Sequence, residues 1–292
     1  MARHGSTVEI VRKQVRAATD GRAGRAAALP ARAGIAAKHA GRHLGQLAKW
    51  LAHSKEHTNF TVHLQETNHE HLAWFVADLT GITVQQARGY IQELREDEEL
   101  QKFVRHRARV GPRSGLIDPE ARFGRRLGWY AITRARQPRL VVECGIDKGL
   151  GTLAFAAALR RNEMEGGTTG RVLAIDVNPS AGALIGGPYA AYVDQAIAPS
   201  VDVLRSLDEQ IDVFLHDSDH NLEYEQQELL MAAEHLAPRG IVLSDNPSLT
   251  LPMWAEAAGR HFAFFQERPQ NSWLAGSGFG VALDRKAFLA LG

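Results

Sequence analysis

The stretch Arg139–Thr152, RLVVECGIDKGLGT, constrains the fold more than any other part of the chain. Leu140, Val141 and Val142 form a short apolar run of the kind buried inside a parallel sheet. Glu143 closes that run, and Gly145, Gly149 and Gly151 punctuate the turn that follows. Thr152 then opens an apolar helix, LAFAAALR. Glycines in such a turn permit torsions and close approaches that a Cβ would hinder. Strand, glycine turn and helix N-terminus together make the unit on which open α/β sheets seat a nucleotide. A single glycine turn is weak evidence, because helices also meet strands this way for packing alone. A second feature follows at the expected distance. Arg171–Val177, RVLAIDV, is another buried strand, and Asp176 is placed there to accept from both hydroxyls of a ribose.

The rest of the second half repeats the alternation of strand and helix. Ala191–Ile197 reads as a third strand, Val201–Leu207 as a short helix and Ile211–Leu215 as a fourth strand. Asn221–Leu236 has the spacing of an amphipathic helix, ended by Pro238 and Gly240, and Ile241–Ser244 is a fifth strand. A helix over Met253–Gly259 precedes two last strands, His261–Gln266 and Gly278–Leu283, joined by a loop without a helix. This order predicts a mostly parallel sheet covered on both faces, with an antiparallel hairpin at one edge. The first half predicts helices instead: Val8–Ala28 broken by Pro30, then Ala36–His53, Asn68 to Gly81, a helix capped by Thr83, and Glu98–Arg107. The loop RVGPRSGLIDPE marks a linker or a cover over the ligand site, and Phe123–Arg136 reads as a helix entering the sheet domain. The division expected is residues 1–118 as a basic arm with a helical region, serving as cover or in oligomerisation, and 119–292 as the catalytic domain.

Composition excludes several classes. With 45% apolar and 23% charged residues over 292 positions, the chain has the balance of a soluble globular protein. One cysteine, Cys144, rules out an intrachain disulfide framework and suits a reducing cytoplasm, the location expected. Nothing resembles a secretory signal, and no apolar run approaches the roughly 20 residues that span a bilayer. The net charge of +1 hides a basic arm, with ten Arg or Lys in the first 50 residues against Glu9 and Asp20. That arm has one aromatic residue, Trp50, and so no stacking platform for single-stranded nucleic acid. A solubilising or subunit-joining extension is the plainer reading, and a homodimer or higher homo-oligomer is compatible with it.

The richest chemistry lies after the fourth and fifth strands. His216, Asp217, Ser218, Asp219 and His220 stand in a row, Tyr224 follows, and Asp245-Asn246 ends the next strand. Open α/β sheets place their ligands at these carboxyl ends. Asp217, Asp245 and Asn246 offer three oxygen ligands to a hard divalent cation such as Mg2+. Such a cation would clamp a substrate hydroxyl and lower its pKa. Taken singly, each of the three is as readily structural, and Asp219 or Asn221 can simply cap the following helix. His220 and His216 are the candidate bases. Trp273, Trp129 and Tyr130 are candidates to pack on adenine or substrate, with a core or rim role as the alternative.

The pair of motifs resembles the cofactor site of class I S-adenosylmethionine-dependent methyltransferases. By that resemblance Glu143, Gly145, Gly149, Gly151 and Thr152 hold the amino-acid end of the cofactor, Asp176 grips the ribose and Ser218 borders the adenine. Asp147 departs from the commonest pattern, which often has a further glycine there. The resemblance implies a Rossmann-like seven-stranded sheet of order 3-2-1-4-5-7-6 and covers roughly residues 120–292. The second cluster is similar to that of metal-dependent small-molecule O-methyltransferases of the catechol and natural-product sugar types. It implies Asp217, Asp245 and Asn246 as metal ligands and His220 in place of the lysine base of the catechol type. The activity implied is methyl transfer to a hydroxyl of a small natural-product or sugar acceptor. A metal-independent N- or O-methyltransferase, an NAD-dependent oxidoreductase and a non-catalytic cofactor-binding protein remain as alternatives.

Overall fold

The computed structural model describes residues 22–284 apart from Asn59 and Ala121. The first part of the expected helix Val8–Ala28 therefore lies outside the described residues. They divide into two compact units, one ending at His53 and including Asn271–Trp273, the other holding everything else. The first unit contains α1 (Arg22–Ala27) and α2 (Leu29–His53). α2 starts earlier than expected because Pro30 falls in its first turn, where a missing N–H costs nothing. Within this unit Trp273 packs on Trp50, with ring centroids 5.1 Å apart.

The second unit opens with three helices, α3 (Glu66–Thr80), α4 (Val84–Glu96) and α5 (Glu98–Val110). Gly81 ends α3 in the left-handed conformation, and Thr83 and Gln86 form a reciprocal capping box on α4. Then follow α6 (Arg126–Arg136), β1 (Leu140–Cys144), α7 (Leu150–Met164), β2 (Arg171–Asp176), β3 (Val193–Ile197), α8 (Ser200–Arg205) and β4 (Ile211–His216). α9 (Leu222–His235), β5 (Leu236–Asp245), α10 (Thr250–Ala257), β6 (Arg260–Gln266) and β7 (Gly278–Asp284) complete it. The sheet order is β3-β2-β1-β4-β5-β7-β6, with β7 antiparallel to both neighbours. This is the Rossmann-like order expected, with its edge hairpin. The boundary that differs most in this unit is that of β5: α9 stops at His235, and Pro238 and Gly240 lie inside the strand rather than in a turn. The irregular pairing between Ile211 and Val213 accommodates them.

Alternation along the strands decides which side chain faces which layer. Leu140, Val142, Cys144, Phe214 and Val242 pack on one side with Leu229 and Ala232 of α9. Val141, Val213, Leu215 and Leu243 pack on the other with α6, α7 and the helices α3 and α4. The helical region from Ser54 onward is thus continuous with the core of the sheet. Arg134 fastens it there: 3% exposed, it donates to Glu93 of α4 (2.8 Å), to Glu165 (2.7 Å) and to Asn162, and Tyr130 also donates to Glu93. No described helix is long and apolar enough to cross a membrane.

Removing one partner of a buried ion pair strands the other. Glu93→Ala should lower the unfolding free energy by roughly 3 kcal/mol, and the double change E93L/R134M should recover most of it. Urea denaturation of the three proteins measures both effects, and a double variant no more stable than Glu93→Ala would contradict the clamp.

Candidate functional site

Glu143 and Cys144 are neighbours on β1 yet face opposite layers, and this parity organises the site. Glu143 is fully buried on the α6–α7 side, inside the strand rather than just after it. Its Oε2 accepts from Thr152 at the start of α7, and its Oε1 has no partner. Burial raises its pKa to about 8, against the opposing effects of Thr152 and Arg126. Gly145 has a φ of 98°, and a Cβ there would stand 1.9 Å from the carbonyl oxygen of Asp217, so the turn and the end of β4 are in backbone contact. Asp147 also adopts positive φ (45°), which explains both the glycine common at this place and the tolerance of aspartate. Gly149 caps α7 with a φ of 88°.

Asp176 ends β2 half-buried and binds the turn itself: its Oδ2 accepts from Ile146 N (2.9 Å) and Asp147 N (3.0 Å), and its Oδ1 from Asn178 N (2.8 Å). It therefore shapes the turn as well as standing beside it. The loop before α6 reaches the same place, since Arg113 pairs with Asp147 at 3.1 Å. The glycine-rich passage after β2 is pinned by Arg107 of α5, which donates to the carbonyls of Ala183 and Ile185.

At the ends of β4 and β5 the structure brings together Asp217, His220 and Asp245, whose ligating atoms all lie within 4.8 Å of one another. Asn246 follows at positive φ (46°) and donates to Asp245 at 3.0 Å. Burial and the charge of Asp245 push the Asp217 carboxyl well above the usual range, against the pull of Arg125 and Arg126. Arg125 lies over Asp245, donating from Nε to Oδ1 and from the terminal nitrogen to Oδ2 (2.6 Å), and reaches Glu267 at 3.1 Å. Two facing carboxylates and an imidazole fit a hard or borderline divalent cation, although Arg125 already supplies one positive charge to Asp245.

His216 and Ser218 are placed differently. His216 is fully buried on the α9 side, with its Nδ1 2.5 Å from Glu228. The same carboxylate accepts from Ser218 (2.8 Å) and Ser200, and Ser200 meets the Tyr224 hydroxyl at 2.9 Å. Strand alternation separates His216 from Asp217 and leaves His220, which is exposed, as the histidine beside the carboxylates. Asn221 caps α9 through Glu223 N, while Asp219 accepts from Asn221 N. Trp129 is a core residue stacked on Phe155, and Tyr130 belongs to the Glu93 clamp. Sequence reasoning missed Arg125, Arg126, Glu267 and Glu228. A signal for the first two was available: paired arginines at a helix N-terminus oppose the helix dipole and need a reason to be there.

Residues 142–246, from within β1 to the end of the acidic cluster, match the family model described as "Methyltransferase domain". The chain carries a methyltransferase domain. Its sheet order and glycine turn are those of the class I, S-adenosylmethionine-dependent fold that the sequence led us to expect. No curated protein matches the chain. Solved structures share the architecture at low identity. The O-methyltransferase TomG from Streptomyces achromogenes, involved in tomaymycin synthesis and solved with SAM, is 22% identical. That match covers 65% of this chain and 90% of TomG, with a TM-score of 0.46. An O-methyltransferase from Bacillus cereus in complex with SAH is 14% identical over 65% of this chain and 92% of its own, with a TM-score of 0.46.

The buried Glu143 makes a pH prediction for the ligand-free methyltransferase. A carboxyl raised from 4.5 to about 8 by folding contributes stability that is complete below 4.5 and lost as the pH rises toward 8. The stability of wild type relative to E143Q should therefore fall by about 1.4 kcal/mol per pH unit across that window. Urea titrations of both proteins at several pH values test it, and a difference indifferent to pH would mean that the carboxyl is ionised in the fold.

Proposed function

We propose that this methyltransferase transfers the methyl group of S-adenosylmethionine to a hydroxyl of a small acceptor, with a divalent cation held by Asp217, Asp245 and Asn246. The observation that carries the reading is the convergence of Asp217, His220 and Asp245 at the strand ends, beside the glycine turn that Gly145 packs against Asp217. The bound cofactor supplies an electrophilic methyl on a positive sulfonium, so the protein's work is alignment, proton removal and exclusion of water. A cation such as Mg2+ would relieve the repulsion between Asp217 and Asp245 and lower the pKa of an acceptor hydroxyl.

In this reading Glu143, Gly145, Gly149, Gly151 and Thr152 form the seat for the amino-acid end of the cofactor, and Asp176 faces the ribose. Ser218, tied to Glu228, shapes the adenine side through the loop rather than by a free hydroxyl. His220 takes the acceptor's proton, being exposed and next to both carboxylates. His216 supports the loop from behind through Glu228. The family resemblance favours a natural-product or sugar hydroxyl as acceptor, and the single cysteine suits the cytoplasm as location.

One observation favours a metal-free form of the same transfer: the guanidinium of Arg125 already covers both oxygens of Asp245. Calorimetry separates the two. We expect S-adenosylmethionine to bind wild type with micromolar affinity, and magnesium to give a heat in the presence of a hydroxylated acceptor that disappears in D217A. Turnover that survives a chelator would decide for the metal-free form. Absence of cofactor binding under all conditions would refute the proposed function.

A further inference from the structure

Of the two arginines that open α6, Arg125 is fully matched by Asp245 and Glu267. Arg126 is not. It is 7% exposed, donates once to the Phe60 carbonyl at 3.2 Å, and its Nε is buried without an acceptor. No carboxylate pairs with it among the described residues, and burial beside Arg125 lowers its pKa. An uncompensated buried charge is costly, so a partner is missing. On the same face of the sheet, Glu143 Oε1 is equally buried and equally without a partner. Among the described residues, Glu143 is the carboxyl and Arg126 the guanidinium that keep a buried polar atom unmatched on this face. Each influences the proton affinity of its neighbours, and Arg126 lowers that of Glu143.

A third charge completes the arrangement. Lys148, in the glycine turn, is 1% exposed, and its Nζ is 2.9 Å from Asp147 and 4.2 Å from the centroid of the Phe60 ring. The Arg126 guanidinium carbon is 5.0 Å from the same centroid. Both cations thus lie close to Phe60, whose own N–H is fixed by Glu56 at 2.9 Å. The ring face partly compensates both charges, as an anion would do better. A buried carboxyl and buried cations on one face are complementary to a zwitterion, whose ammonium would favour the ionised form of the carboxyl.

We propose that Arg126 and Lys148 bind the α-carboxylate of the methionyl end of the cofactor, with Glu143 taking its α-ammonium. The inference rests on the reading that this chain uses S-adenosylmethionine. It assigns cofactor contacts to α6 and to the one lysine of the turn, neither of which belongs to the glycine motif. An ionised acceptor group is the alternative source of the anion, and analogues of the product cofactor distinguish the two.

Binding is measured by calorimetry with S-adenosylhomocysteine and with S-adenosyl-3-thiopropylamine, the same molecule without its carboxylate. Wild type should prefer the former, and Arg126→Met should lower its affinity by about 30-fold, the loss expected for a charge-assisted bond. Affinity for the decarboxylated analogue should change by no more than about threefold, since the contact removed is absent from it. K148M should lose the same discrimination to a smaller degree. The melting temperature of ligand-free R126M should equal or exceed that of wild type, because an unpaired buried charge is removed. If R126M does not fold, R126K and K148M carry the same comparison. Unchanged affinity for S-adenosylhomocysteine in R126M would overturn the proposal and leave the methyltransferase reading intact. Equal weakening of both analogues would make Arg126 structural and overturn it too. No binding of either analogue to wild type would instead locate the failure in the cofactor reading on which the proposal rests.

Discussion

Two carboxylates, Asp217 and Asp245, are held against each other at the ends of adjacent parallel strands, and their repulsion has to be met from outside the sheet. Neither can move away: Asp217 is in backbone contact with Gly145, and its N–H is bonded to the Cys144 carbonyl at 2.8 Å, while Asp245 pairs with Phe279 of β7. Arg125 answers part of the charge from the start of α6. Glu267, at the end of β6, then fixes Arg125 by accepting from both its backbone and its side chain. The edge hairpin therefore does more than finish the sheet. It supplies the residue that orients the cation facing the site.

Strand alternation gives the two faces of the sheet different work. On the α6–α7 side lie Glu143, Asp217, Asp245 and the two arginines. On the α9 side Glu228 gathers His216, Ser200 and Ser218, while His216 Nε2 stays buried without a partner. Buried hydrogen bonds of this kind rigidify the loop that carries Asp217 and His220. Phe60 and Thr61 are similarly fastened, since Glu56 accepts from the backbone of both. Between these supports, Glu143 and Arg126 each keep a buried polar atom without a partner.

The sheet was legible because its signals are local and redundant. Buried apolar runs, a glycine turn and acids at the ends of four strands all point to a mostly parallel sheet, and the family resemblance supplied the strand order. β5 was read too short because Pro238 and Gly240 resemble a turn, whereas the sheet absorbs them in an irregular register. The site was legible in its residue types and less so in their orientation. His216 and His220 looked equivalent in sequence, yet counting strand parity from Cys144 places His216 opposite Glu228. Arg125 and Glu267 meet across more than a hundred positions, so the paired arginines at the start of α6 signal a role without naming their partners.

The most direct test of the account is a crystal structure of the full chain with S-adenosylhomocysteine and manganese. We expect the cofactor's amino-acid end beside Glu143 and an anomalous peak between Asp217 and Asp245, with Arg125 still in contact with Glu267. Cofactor density elsewhere on the protein, or a peak remote from both carboxylates, would contradict it.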